Sequence, residues 1–486
     1  MQPAATPDRS ADLVLRGGVV HTLDDAGSTA QAIALRHGRV LRVGTDAEID
    51  ETIARGTRVV DLDGRAVLPG INDSHLHAAW LGAMWPHTVF GPGGAPEAPA
   101  ASIGSAEDAV AGVEAAGDPH DTSGSAPLLT TREERRAAIL RAGELIASLG
   151  ITSYTEPGLG PGEDDGATGC FGQDVFEAYG ELEAERALTA RVTVLGLFGV
   201  LDGPSALRDV LAGLPGLRRE TARPSRLRVA GVKIFADGIP PMHQAWTHHR
   251  YPDGTQGGLL VEGADPEERA AALRRMIREA NRLGLQVGVH ATGDRTIDTV
   301  VEAVEEALAQ TKTDLGHYVI HGDLVGADAL ARMARLGMGL NIQAGIAAHT
   351  ASWVAAVLGD EVAASAWPIR AAWAAGVPVS LSSDAPILAP DWRQGIADAD
   401  AWIGAPVPGG ERARMLDLLR AYTTVPARQD GAAAWKGSLE PRKAADLCVL
   451  EADPLTLTPA ELPGVAVDLT VVDGDIVFER VPVTSV

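Results

Sequence analysis

A (β/α)₈ barrel carrying a small β-sandwich-like domain built from both chain ends is the fold this sequence predicts. Two observations predict it. Through the middle of the chain, short apolar strands alternate with helical stretches, and eight such strands can be counted, the number that closes a barrel. Both ends are instead rich in short β-branched strands punctuated by glycine, a pattern of small antiparallel sheets.

Taken in order, residues 1–10 are polar and read as a loose lead-in. The segments ADLVLRGGVVHTL, AIALRHGRVLRVG and TRVVDLDGRAVLPG fill 11–69, and 1–69 forms the N-terminal part of the small domain. The barrel is expected over 70–430. Its strand candidates are LPGINDSHLH, GITSYTE, ARVTVLGLF, RVAGVKIFADG, LQVGVHATGD, HYVIHGD, GLNIQAG and VPVSLSSDA. PEERAAALRRMIREANRLG and DRTIDTVVEAVEEALAQ repeat apolar residues at three and four, as helices between strands do. Residues 91–130, rich in Gly, Ala, Pro and Ser, read as an insertion after strand one, a long loop or mobile lid. A second long connection, 238–263, follows strand four. The strands of 431–486, AADLCVLEAD and VDLTVVDGDIVFERV, complete the small domain.

A length of 486 residues suits one large domain plus a smaller one. The net charge of −24 argues against a nucleic-acid or anionic-membrane partner. Cys170 and Cys448 lie far apart and suit a reducing compartment. No apolar run is long enough to span a bilayer, and the N-terminus shows no basic segment followed by an apolar one. A cytoplasmic enzyme with a small-molecule substrate is the expectation. GxxxxGK[ST], GxGxxG and GxSxG are all missing, so phosphate-loop and nucleophile-elbow chemistries are unsupported.

Barrel chemistry sits at the C-terminal strand ends. Those ends carry His75 and His77 on strand one, Lys233 on strand four, His290 on strand five, His321 on strand six and Asp384 on strand eight. Imidazoles and carboxylates are good ligands for a borderline ion such as Zn²⁺. Singly, each has a bland reading: a packed histidine, a helix-capping aspartate, a lysine reaching Asp237. Together they form an ordered set, one per predicted strand end. Lys233 is the odd member, one of four lysines in an arginine-rich chain, set between Val232 and Ile234. Burying an ammonium there is costly.

The order and context of these residues resemble the amidohydrolase superfamily of metal-dependent hydrolases. LPGINDSHLH resembles its strand-one signature. VKIFADG, VHATGD and SSDAP resemble later motifs of its long-chain branch, which includes N-substituted formamide deformylase-like enzymes. The resemblance implies two divalent ions, zinc foremost, with His75, His77 and Asp384 holding the first, His290 and His321 the second, and a carboxylated Lys233 bridging them. It also implies a homodimer. Many relatives carry glutamate before the strand-six histidine; here Ile320 stands there.

The expected reaction is hydrolysis of an amide-type C–N bond (N-substituted formamide, N-acyl amine or cyclic amide) by a metal-bound hydroxide, with Asp384 moving the proton. A lactone, carbamate or ester hydrolase, a deaminase, and a catalytically silent binding scaffold stay open. Asp73 is a candidate for orienting the histidines, or a turn residue. Trp80, His243, Trp246 and Arg295 are candidates for touching substrate, against packing or surface roles.

Overall fold

The computed structural model describes residues 10–90, 127–217, 221, 223, 225–404 and 409–480. The expected insertion lies outside the described residues from 91 to 126, as does the polar lead-in up to residue 9.

Eight strands form one parallel sheet in chain order: β1 (Ile71–Asp73), β2 (Ile151–Leu159), β3 (Arg191–Leu197), β4 (Leu227–Phe235), β5 (Gln286–Ala291), β6 (Tyr318–His321), β7 (Gly339–Ile342) and β8 (Val379–Leu381). Each pairs with its successor. Strands such as RVTVLGL and QVGVHA are buried on both faces, which is why they read as continuous apolar runs rather than alternating ones. The helix Pro266–Arg282 starts behind Asp265, whose side chain accepts from Glu268 N, and buries Leu273, Met276, Ile277 and Ala280.

The barrel closes beyond the ends of β8 and β1. Leu76 bridges Ala385 in parallel. Asp384 N donates to His75 O and His77 N to Ala385 O, both at 2.9 Å. The seam of the barrel therefore runs through the segments that carry three of the proposed ligands.

The first strand differs from the sequence reading. LPGINDSHLH is not one strand. Ala66–Pro69 belongs to the small domain, where it pairs with Leu447–Leu450, and only Ile71–Asp73 enters the barrel. Both pieces are wholly buried and only one residue separates them, so they read as a single segment. Gly70 makes the transition, and a Cβ there would lie 2.1 Å from Thr152 Oγ1. His75 and His77 consequently sit past the strand, in the closing seam.

The remaining strands form two sheets. Arg39–Gly44, Ala32–Arg36, Leu13–Arg16 and Arg58–Asp61 make one. Asp475–Glu479, Val467–Val472, Leu447–Leu450, Ala66–Pro69, Val19–His21 and Thr29–Ala30 make the other. Leu13, Leu15, Ile33 and Leu35 of the first pack on Val67, Leu447, Val449 and Val471 of the second. No helix among the described residues is long and apolar enough to cross a membrane.

Candidate metal centre

Closure of the barrel brings His75, His77 and Asp384 together. His75 Nε2 lies 3.1 Å from Asp384 Oδ1, and His77 Nε2 lies 3.6 Å from the same oxygen. The β6 residue His321 reaches them from across the mouth. Its ring centroid is 5.3 Å from that of His75 and 4.5 Å from that of His290. Ligand atoms of His75, His321 and Asp384 all fall within 4.8 Å of one another. His321 and Asp384 both adopt left-handed backbone, at φ +70° and +58°. Such a conformation costs about 1–3 kcal/mol outside glycine and is characteristic of functional sites.

The protonation states suit a cation. Burial lowers His75 to about 3, against the opposing pull of Asp384, and lowers His321 to about 4. Burial likewise holds His290 well below the usual imidazole range. Burial pushes the Asp384 carboxyl up, but His75, His77 and His321 outweigh it and hold it well below the carboxylate range. His77 goes the other way: burial disfavours its cation, yet Asp384 and Glu156 raise it to about 9. An ion on its inner nitrogen takes the place of that proton.

Two further features fit divalent ions. Both ring nitrogens of His290 are buried without a hydrogen-bond partner, an arrangement that costs about 1–3 kcal/mol unless something fills it. Lys233 is buried over the Phe235 ring, its Nζ 4.5 Å from the centroid. Burial lowers its ammonium to about 8, with Asp384 and Asp202 opposing. The partner suggested by the bland reading, Asp237, is committed elsewhere. Its carboxylate accepts from Trp246 N (3.1 Å), Thr292 N (3.0 Å) and Gly293 N (2.9 Å). It pins the long connection after β4 to the turn after β5.

The other candidates are placed as follows. Asp73 does not hold an imidazole: Oδ1 accepts from His75 N (3.3 Å) and Ser383 N (3.2 Å), joining the backbones on the two sides of the seam. Its place on β1, directly beneath the seam, leaves backbone N–H groups as its neighbours. Trp80 is buried, its ring 6.2 Å from His77 and 5.6 Å from Phe171, so it walls the His77 ring. Trp246 carries the Arg295 guanidinium 4.2 Å above its ring. His243 stacks on Tyr251 at 4.7 Å, with Nδ1 2.9 Å from Asp253. Asp294, the first residue of the helix Asp294–Gln310, accepts from His248 N.

Two residues that hold the proposed ligands went unread in the sequence. Glu156, on β2, places Oε1 2.9 Å from His77 Nδ1. Its Oε2 accepts from Ala78 N (2.8 Å) and Tyr179 Oη (3.0 Å). Gln343, after β7, places Oε1 2.7 Å from His321 Nδ1. Gln343 stands just past the end of β7, and Glu156 closes the segment GITSYTE read as a strand in the sequence, so the rule that found the proposed ligands would have found both had it included glutamate and glutamine. Each fixes a tautomer with the proton on Nδ1 and the lone pair on Nε2.

Glu156→Gln is accordingly expected to weaken metal binding by about 10–100-fold. The amide cannot accept on both ends, so either His77 or Ala78 N loses its acceptor. Metal content after dialysis against graded chelator measures this. Retention at the wild-type level would show that Glu156 does not set the His77 tautomer.

Residues 98–478 match the family model described as the amidohydrolase family. The match includes Lys233, His290, His321 and Asp384 and begins after the two seam histidines. N-substituted formamide deformylase of Arthrobacter pascens is 25% identical over an alignment covering 96% of this chain and 98% of its own. Protein LONG AFTER FAR-RED 3 of Arabidopsis thaliana is 26% identical, covering 90% and 87%. An uncharacterised metal-dependent hydrolase from Pyrococcus horikoshii superposes with a TM-score of 0.69 at 20% identity, over 93% of this chain and 99% of that one, and so shares the fold. The chain belongs to the amidohydrolase family of metal-dependent hydrolases.

Proposed function

We propose that the protein hydrolyses an amide-type C–N bond in a small molecule: an N-substituted formamide, an N-acyl amine or a cyclic amide. The observation that carries this is the convergence of His75, His321 and Asp384, in a chain similar along most of its length to an N-substituted formamide deformylase. In this reading His75, His77 and Asp384 would hold one divalent ion and His290 and His321 a second, and a carboxylated Lys233 would serve both as the bridging ligand; zinc is the proposed ion. Bound divalent ions lower the pKa of water and polarise a carbonyl oxygen.

The chain's own residues do the rest. Glu156 and Gln343 keep Nδ1 of their histidines protonated, so Nε2 is free to ligate. Asp384, ionised and in contact with two imidazoles, takes the proton released as water adds to the carbonyl carbon. It then delivers that proton to the leaving nitrogen as the C–N bond breaks. Lys233 enters as an amine: its nitrogen adds CO₂ and loses a proton, exchanging a buried cation for an anion with two oxygens. Arginine could not do this, since its guanidinium stays protonated.

The test combines metal counting with turnover. Two ions per chain are expected by mass spectrometry, with hydrolysis of at least one member of a panel of formamides, N-acyl amines and cyclic amides, abolished by chelation and restored by zinc. A ¹³C carbamate signal after ¹³C-bicarbonate is expected in wild type and not in Lys233→Arg. Turnover of lactones, esters or aminopurines with no amide cleaved would replace this reading with the corresponding alternative.

A further inference from the structure

Beside the seam the barrel is lined with amides and hydroxyls. Side chains alternate along a strand, so Asn341 of β7 shares a face with Gln343 just past it, and Ser380 of β8 with Ser382. Asn341 and Ser380 are partners in register. Ser74, the residue after β1, joins them from the other side of the seam. All of these side chains are buried.

Their hydrogen bonds form a chain with one fixed end. Leu381 O is a backbone carbonyl and only accepts, so the Ser74 hydroxyl donates to it (3.2 Å). With its one proton engaged, Ser74 Oγ accepts from Asn341 Nδ2 (2.7 Å). Asn341 Oδ1 is thereby turned to Gln343 and accepts from its Nε2 (2.7 Å). Ser382 bridges the two amides, accepting from Gln343 Nε2 (2.9 Å) and donating to Asn341 Oδ1 (3.0 Å). What Gln343 presents to His321 is then Oε1, 2.7 Å from Nδ1. An amide oxygen only accepts, so Nδ1 carries the ring proton and Nε2 the lone pair. The reverse chain would bring Gln343 Nε2 to the imidazole and put the ring proton on Nε2. It would also turn the Ser74 hydroxyl from Leu381 O to Asn341, and a buried carbonyl would lose its donor.

We infer that Asn341 is a positioning residue for His321, passing a direction set at Leu381 O through Gln343 to the imidazole. The inference rests on the reading of His321 as a metal ligand. It gives the seam a second consequence. The closure that brings His75 to Asp384 also fixes which His321 nitrogen is open to a cation.

The experiment is ¹⁵N spectroscopy of the histidine side chains in the full, chelator-treated chain, with each variant checked for an unchanged circular dichroism spectrum. His321→Ala identifies the His321 signals. Wild type is expected to show one His321 tautomer, protonated on Nδ1. In Asn341→Leu, Ser382 can accept from one end of the Gln343 amide or donate to the other, so both tautomers should appear in comparable amounts. Asn341→Asp keeps an oxygen toward Gln343 Nε2 and should keep the single Nδ1–H tautomer, which a general loosening of the core would not. Ser74→Ala cuts the link to Leu381 with Asn341 intact and should give both tautomers, which carries the test if Asn341→Leu does not fold. A single Nδ1–H tautomer in folded Asn341→Leu or in Ser74→Ala, or both tautomers in Asn341→Asp, would overturn the inference. Zinc titration of His321→Ala tests the reading beneath it: wild-type zinc affinity there would remove His321 as a ligand, whatever its tautomer.

Discussion

Asp384→Asn is expected to reduce kcat by about 10²–10⁴-fold, the span of a lost general acid–base group, while the melting temperature stays close to wild type. The substitution is nearly isosteric, and the backbone that shapes the residue does not depend on its charge. Asp384 N donates to His75 O, and the neighbouring Ser383 N is held by Asp73. What the change removes is the negative oxygen 3.1 Å from His75 Nε2 and 3.6 Å from His77 Nε2. The surrounding imidazoles hold that carboxyl well below its ordinary range, so in the native chain it is ionised throughout the neutral region. Asparagine has no site for one. Metal content must be measured on the same samples, because the side chain is also a proposed ligand. Undiminished turnover in Asp384→Asn with its metal bound would remove the acid–base assignment and leave the residue a ligand only.

The proposed ligands were legible in the sequence because the rule that finds them is local. Chemistry-bearing residues at strand ends, in order along the chain, can be read without knowing what faces what. His290 and His321 are one βα unit apart in that reading and lie with ring centroids 4.5 Å apart in the structure. The seam was not legible. It joins His75 to Asp384 across most of the chain, and nothing near either residue announces the pairing. Glu156 and Gln343 went unread because the strand-end rule was applied to histidine, lysine and aspartate, and a single glutamate or glutamine draws no notice until the imidazole opposite it is known. The merging of Ala66–Pro69 with Ile71–Asp73 has a different cause. Two buried strands in separate sheets, one residue apart, read as one long strand, and only the crowding at Gly70 marks the break.

Lys436→Met is expected to lower the stability of the fold by about 3–5 kcal/mol, the usual cost of stranding one member of a buried ion pair. The chain buries Lys233 and Lys436, two of its four lysines, and treats them in opposite ways. Lys233 stands over an aromatic ring. Lys436 lies 2.5 Å from Asp430 and donates to Ser153 Oγ at 3.2 Å. Asp430 is satisfied in turn by Asn72 Nδ2 (2.9 Å) and Thr155 Oγ1 (3.3 Å). The pair therefore ties the C-terminal segment to β1 and β2, the strands from which Asp73 and Glu156 act on the ligands. Methionine replaces the stem of Lys436 but leaves Asp430 charged, buried and short of its counter-ion. Adding Asp430→Asn to Lys436→Met removes that orphaned charge and should recover part of the loss. If the penalty were only lost packing, the second substitution would make matters worse. Urea unfolding of the two variants and wild type separates these accounts. A Lys436→Met protein within about 1 kcal/mol of wild type would mean that water or a shifted side chain neutralises Asp430, and that the buried pair is not what anchors the C-terminal segment to the barrel.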